Sequence, residues 1–309
     1  MATSNVNYSS PLEQPSSLPQ VNLITMFRLG LFQMALGVMS ILTLGVLNRV
    51  MISELGIPAT IAAGTLALHQ FVAPARVWFG QMSDAKPIFG LHRSGYVWVG
   101  TALFTLTAFL AVQVMWRLGS AVREAGEWVW TGETAFFSVL LGLIFIFYGL
   151  ALSASSTPFA ALLVDVSDDE NRSKLVGSVW SMLMVGIVIG GVSGGILLKT
   201  LQQDGVIWGA NVGSLLLTNE KVIQTPLAIL QGGINRLFIV VPIIVFALAL
   251  IATWGIEKRY SRYETLSSVR DREDSVTLGR AIRILTASRQ TGLFFSFLIM
   301  MTISLFMQE

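Results

Sequence analysis

Apolar residues run along the chain in long blocks, and polar residues collect in short breaks between them. Seven blocks, at about 24–47, 58–80, 95–116, 135–160, 175–198, 235–255 and 291–307, come close to the ~20 residues an α-helix needs to cross a bilayer. The first two are joined by a polar elbow, residues 48–56, carrying Asn48, Arg49 and Glu54. Residues 1–22 are rich in Ser, Pro and Asn and predict a disordered tail without the basic start of a signal peptide. Residues 23–256 predict a six-helix transmembrane half. Residues 257–290 predict a cytoplasmic linker containing an amphipathic helix at 277–290, and 291–309 the start of a second half with the seventh helix. Residues 199–234 are only weakly apolar and predict no firm element.

Composition agrees with the blocks. Of 309 residues, 53% are hydrophobic and 12% charged, about half the charge of a soluble domain, with a mean hydropathy of +0.69. The fold class expected is therefore an all-α membrane protein surrounded by lipid. A net charge of +2 gives no footing for a nucleic-acid partner, and with no cysteine there is neither disulfide nor thiol chemistry. On the N-terminal side of the predicted spans lie 14 Lys/Arg: Arg28, Arg76, Lys86, Arg93, Arg172, Lys174 and eight from Lys258 to Arg289. The other side has 6, namely Arg49, Arg117, Arg123, Lys199, Lys221 and Arg236. This bias predicts a cytoplasmic N-terminus.

Small residues form stripes within the blocks. Gly30, Gln33, Gly37 and Ser40 share one face of the first span, and Gly142, Gly149, Ser153 and Ser156 recur in the fourth. The fifth is the most patterned: Gly186, Gly190 and Gly194 repeat every four residues, with Gly191, Gly195 and the earlier Gly177. Glycine is costly in an exposed helix, so this pattern predicts a close helix–helix contact or a bend.

Few side chains carry chemistry. His69 is the one histidine placed inside a span, midway along 58–80 and followed by Gln70. An ionisable group at depth is a functional candidate. A neutral imidazole offers either a hydrogen bond to a neighbouring helix or a free nitrogen for a pigment magnesium. Arg28 and Arg76 fit snorkelling at span edges. Asn48, Arg49 and Glu54 read as a structural elbow, pairing and capping one another. No carboxylate pair lies within a span, and no nucleotide loop, metal-ligand cluster or nucleophile–base pair is evident, so neither an enzyme nor a metal site is expected.

Three short motifs fall in an order and topology that resemble the major facilitator superfamily. Gly80, Asp84 and Lys86 resemble its loop 2–3 signature, although Pro87-Ile88-Phe89-Gly90-Leu91 delays the next basic residue to Arg93. The span-five glycines resemble its antiporter motif, with Gly191 where proline is usual, and Asp165 to Arg172 resembles its loop 4–5 element. The resemblance implies a conformational latch built from Gly80, Asp84, Lys86, Arg93, Asp165 and Arg172, in a chain that ends early in its second half.

The first hairpin narrows this. Leu47-Asn48-Arg49-Val50-Met51-Ile52, Glu54-Leu55-Gly56-Ile57-Pro58-Ala59, Ala73-Pro74-Ala75-Arg76 and Tyr96-Val97-Trp98-Val99-Gly100-Thr101 closely resemble the bacteriochlorophyll delivery (PucC-type) family, in a branch similar to that of oxygenic phototrophs. That resemblance implies a membrane factor for delivering chlorophyll or bacteriochlorophyll and assembling light-harvesting or photosystem apoproteins, in a thylakoid or photosynthetic inner membrane. It further implies a pigment held transiently, with His69 and Gln70 as the candidate site. The rival expectation is a proton-coupled transporter of an unrelated small molecule.

Overall fold

The computed structural model describes residues 21–215 and 226–261, together with 292–294, 296, 297 and 300. Among these the structure is all-α, and the first of two compact units ends at Ser261. Eight helices are traced in that unit: α1 (Leu23–Glu54), α2 (Ala59–Phe71), α3 (Ala75–Ala85), α4 (Ser94–Ala125), α5 (Gly132–Val166), α6 (Asp169–Leu215), α7 (Pro226–Thr253) and α8 (Ile256–Tyr260). Five of them, α1, α4, α5, α6 and α7 continuing into α8, contain segments long and apolar enough to cross a membrane. The protein is an integral membrane protein. The tail at 1–20, the amphipathic helix at 277–290 and most of the seventh span lie outside the described residues.

The apolar surface of the helices explains that conclusion. On α6, Trp180, Met184, Val185, Val188, Ile189, Val192 and Ile196 all face outward, a contiguous oily face that water would penalise and lipid accepts. Inside, Phe32, Phe104, Phe145, Phe159 and Phe238 are buried among aliphatic side chains. Several buried hydroxyls turn back on their own helices: Thr101 Oγ1 donates to the Val97 carbonyl at 2.6 Å and Ser153 Oγ to the Gly149 carbonyl at 2.8 Å. This satisfies polar atoms that have no water to meet.

Two expectations about the first hairpin are corrected. The polar elbow is not a loop. α1 runs on through Asn48 and Arg49 to Glu54, with π-helical turns at Ile41–Val46 and Val50–Glu54, and the chain reverses only at residues 55–58. Gly56 takes the left-handed φ of 66° that this reversal needs. The second span is likewise not one helix. It breaks at Val72-Ala73-Pro74 into α2 and α3, because Pro74 has no N–H and its ring disfavours helical backbone at Ala73. His69 therefore sits in the last turn of α2 and not at mid-span.

Packing places α5 against α4, α2 and α3, while α1 lies against α6 and α7, and α7 also meets α4. Glycines set the closest approaches. A Cβ on Gly37 would come within 2.4 Å of the Leu183 carbonyl, and one on Gly186 would overlap the Met34 carbonyl. Gly190 and Gly194 face Ile41 and Val46 of α1, whereas nothing lies within 4 Å of a Cβ on Gly177 or Gly195, and Gly191 is only in loose contact. The every-four-residue stripe thus belongs to the α1–α6 contact, and its neighbouring glycines do not.

Candidate functional site

The most organised polar group lies where α3 ends and α4 begins. α3 finishes at Ala85, and a tight turn follows in which Ile88 and Leu91 exchange backbone hydrogen bonds of 2.9 and 3.0 Å. Arg93 then stands immediately before α4. Its side chain is buried inside the protein. Nε donates to Asp165 Oδ2 at 2.8 Å, Nη1 to Ser83 Oγ at 2.6 Å, and Nη2 pairs with Asp84 Oδ1 at 2.5 Å. One guanidinium therefore fastens the end of α3, the start of α4 and the last turn of α5.

Each partner has a physical reason for its place. Asp165 sits at the C-terminal end of α5, where the helix dipole disfavours a negative charge, and the Arg93 cation offsets that. Burial works against the Arg93 charge, but the hydrogen bond and charge of Asp165, joined by Asp84, outweigh it and hold the guanidinium above its ordinary value. Tyr96, a turn further along α4, donates its hydroxyl to the carbonyls of Met82 and Lys86 at 3.1 and 2.9 Å. The α3–α4 turn is thereby closed from the other side.

The first helical N–H groups of α4 are held by a residue that sequence reasoning assigned elsewhere. Glu257 accepts from the backbone N–H of His92 (2.6 Å), Arg93 (3.0 Å) and Ser94 (2.7 Å). It was expected to open a solvated linker; instead it is buried in α8. Gly255, at a left-handed φ of 72°, ends α7 and turns α8 back so that Glu257 reaches α4. A glycine followed two residues later by an acid was the available signal. Arg28 is a similar correction: it does not snorkel but donates Nε to the Ile251 carbonyl at 2.6 Å and Nη2 to the Trp254 carbonyl, capping the C-terminus of α7.

Other residues of the expected latch lie apart from Arg93. The Lys86 side chain is exposed; its backbone N–H donates to the Met82 carbonyl and its carbonyl accepts from Tyr96. Arg172 Nε meets Ser167 Oγ at 3.3 Å. Gly80 faces Thr157 of α5 at an ordinary 3.5 Å, so a Cβ would fit there. Asn48, Arg49 and Glu54 share the last turns of α1.

His69 stands at the α2–α5 contact, half-buried, with Gln70 exposed beside it. Its Nδ1 lies 2.5 Å from the Leu66 carbonyl. A carbonyl can only accept, so Nδ1 carries the proton, and in the neutral ring Nε2 keeps a free lone pair. Tyr148 meets the ring edge-on at 6.2 Å, and Gly149 lets α5 approach so closely that a Cβ would come within 2.5 Å of the His69 carbonyl. Among the described residues no three His, Asp or Glu side chains converge as a metal site.

A family model described as PUCC protein matches residues 46–309. A Rhodobacter capsulatus relative called Protein PucC is 34% identical over 206 residues, covering 64% of this chain and 43% of its own. A second from that organism, an uncharacterized protein in the puhA-bchM intergenic region, is 32% identical over 179 residues, covering 58% and 36%. A third, Bacteriochlorophyll synthase 44.5 kDa chain, is 29% identical over 213 residues, covering 69% and 45%. The chain thus spans less than half the length of these curated relatives. No solved structure matches it.

Proposed function

The chain belongs to the PUCC protein family, and from that premise we propose that it serves as a membrane factor in delivering chlorophyll-type pigment to light-harvesting or photosystem apoproteins. The observation that carries this reading is the likeness over residues 46–309, with relatives whose printed names include PucC and a bacteriochlorophyll synthase chain. The role is non-catalytic: the chain holds and hands over a pigment made elsewhere. Its framework is half of a major facilitator fold, in a thylakoid or photosynthetic inner membrane, with the N-terminus in the cytoplasm.

His69 is the proposed pigment contact. When bound, a chlorophyll-type pigment would supply a Lewis-acidic magnesium able to accept a nitrogen donor. The Leu66 carbonyl orients the imidazole through Nδ1–H, the second-sphere arrangement that keeps the other nitrogen available, and Nε2 is the group that would hold the metal. The exposed Gln70 amide lies one residue along, at the same break in the helix. Arg93, Asp84, Asp165 and Glu257 act as the fastening of this framework, and release of Arg93 is the proposed latch movement.

Purification from a pigment-making membrane tests the reading. Absorbance in the chlorophyll red band is expected to accompany the chain well above an unrelated membrane protein of similar size. His69→Leu is expected to lower pigment per protein while abundance stays near normal. No pigment above the control sinks the delivery reading. Pigment that persists in His69→Leu removes only His69, and a loss of protein at constant pigment ratio makes the histidine structural.

A further inference from the structure

The opposite end of the bundle holds a second polar group that the pigment reading does not use. Between the C-terminal turns of α4 and the first turns of α7 is a cavity of about 780 Å³, within the roughly 300–1,000 Å³ typical of small-molecule sites. Gln113, Arg117, Ser120 and Glu124 line it from α4 at the three- and four-residue spacing of one helical face, and Arg123 joins them. Gln231 lines it from α7, above the apolar Val114, Leu227 and Ala228. Asn235 sets the floor in place by accepting from Gln113 Nε2 at 3.2 Å and from Trp116 Nε1 at 3.1 Å.

Neither Arg117 nor Arg123 has an ion-pair partner among the described residues. Arginines left unmatched in a cavity favour an anion, which their planar N–H forks can grip through two oxygens. Depth identifies the source of that anion. Arg117 lies 24 residues beyond Arg93, roughly 36 Å of helix, so the two ends straddle a hydrocarbon core of about 30 Å. From Arg117 to Glu124 the helix rises about 10 Å, which spans the opposite headgroup layer.

We propose that this cleft holds the headgroup of an anionic membrane lipid bearing hydroxyl groups. Its single phosphate or sulfonate is gripped by Arg117 and Arg123, and its hydroxyls meet Ser120, Gln231 and Glu124. The Glu124 carboxylate repels a doubly charged headgroup but accepts from hydroxyls, so it selects a singly charged, hydroxylated one. The apolar floor lets the acyl chains leave toward the bilayer beside α7. This site is independent of the pigment reading and stands or falls without it.

The test is lipid retained by the detergent-purified full chain, counted by native mass spectrometry after incubation with vesicles of equal phosphatidylglycerol and phosphatidylcholine. Phosphatidylglycerol is expected to be retained preferentially, and Arg117→Gln/Arg123→Gln to weaken that preference roughly tenfold. Arg117→Lys/Arg123→Lys is expected to keep most of it, and Arg49→Gln all of it. Equal retention of the two lipids by the unaltered chain overturns the proposal whether or not the variants fold. So does undiminished preference in the double glutamine variant. Stripping of the lipid by excess inorganic phosphate would make the site one for a soluble anion and overturn the lipid assignment.

Discussion

Glu257 accepts three backbone N–H groups at once, so its contribution has no substitute nearby. Helix-start donors are orphaned by helix geometry, and here they are also buried. Glu257→Ala is expected to cost about 2 kcal/mol or more, and Glu257→Gln less because one acceptor oxygen remains. Arg93→Leu is expected to be worse, roughly 3–5 kcal/mol, since it strands the buried Asp165. Adding Asp165→Leu to Arg93→Leu should recover part of that loss. Thermal unfolding midpoints in one detergent measure all four. A double variant no more stable than Arg93→Leu alone would mean that the pair is not coupled. pH separates the groups further: a cation held above its usual value in the fold contributes stability that is lost only as pH rises through that value. Arg93 therefore adds no pH dependence across the neutral range.

At the scale of elements, the α1–α6 contact is set by which glycines meet backbone. Gly186 approaches the Met34 carbonyl and Gly190 the Val38 carbonyl, the latter at 2.9 Å from a hypothetical Cβ. Main chain cannot rotate aside as a side chain can. Gly186→Leu and Gly190→Leu are expected to cut accumulation in the membrane severely, by overpacking worth at least about 1–3 kcal/mol. Gly195→Leu, pointing into open space, is expected to accumulate like the parent. Immunoblots of membrane fractions distinguish them, and a tolerated Gly186→Leu would show that α1 and α6 do not close on one another as described. The break at Pro74 works at the same scale. It ends α2 just past His69, which puts the imidazole at a helix end where its ring can reach the α5 surface.

For the whole molecule, the prediction concerns orientation. The bias of 14 basic residues against 6 favours the Arg93 end in the cytoplasm. Because the chain has no cysteine, single replacements report their own side. Lys86, just past the end of α3, and Glu124, in the last turn of α4, are both exposed. An impermeant thiol reagent added outside sealed, right-side-out membranes is expected to label Glu124→Cys and spare Lys86→Cys. The reverse pattern would invert the topology and place the anionic-lipid cleft in the cytoplasmic leaflet.

The sequence by itself determined what depends on composition and local spacing. Missing charge and blocks of about 20 apolar residues are enough to specify membrane-spanning helices, and the four-residue recurrence of Gly186, Gly190 and Gly194 is enough to put them on one face. The motifs around Asn48 and Tyr96 were enough to name a family. Long-range partners were not legible, because they follow from how helices pack. Arg93 and Asp165 are 72 residues apart, and Glu257 reaches Arg93 across 164. Nothing local in Glu257-Lys258-Arg259 separates a buried cap from a solvated linker; only the turn at Gly255 and the position of α4 do. The elbow at Asn48 and Arg49 misled for a related reason. Polar residues usually mark a chain reversal, but in this bundle the last turns of α1 stay packed in the core through Leu47, Val50 and Met51, and the same helix carries Asn48 half-buried and Arg49 exposed. Which polar residue is loop and which is lock was decided by tertiary structure, since only packing determines which backbone groups lose their water and must find a partner.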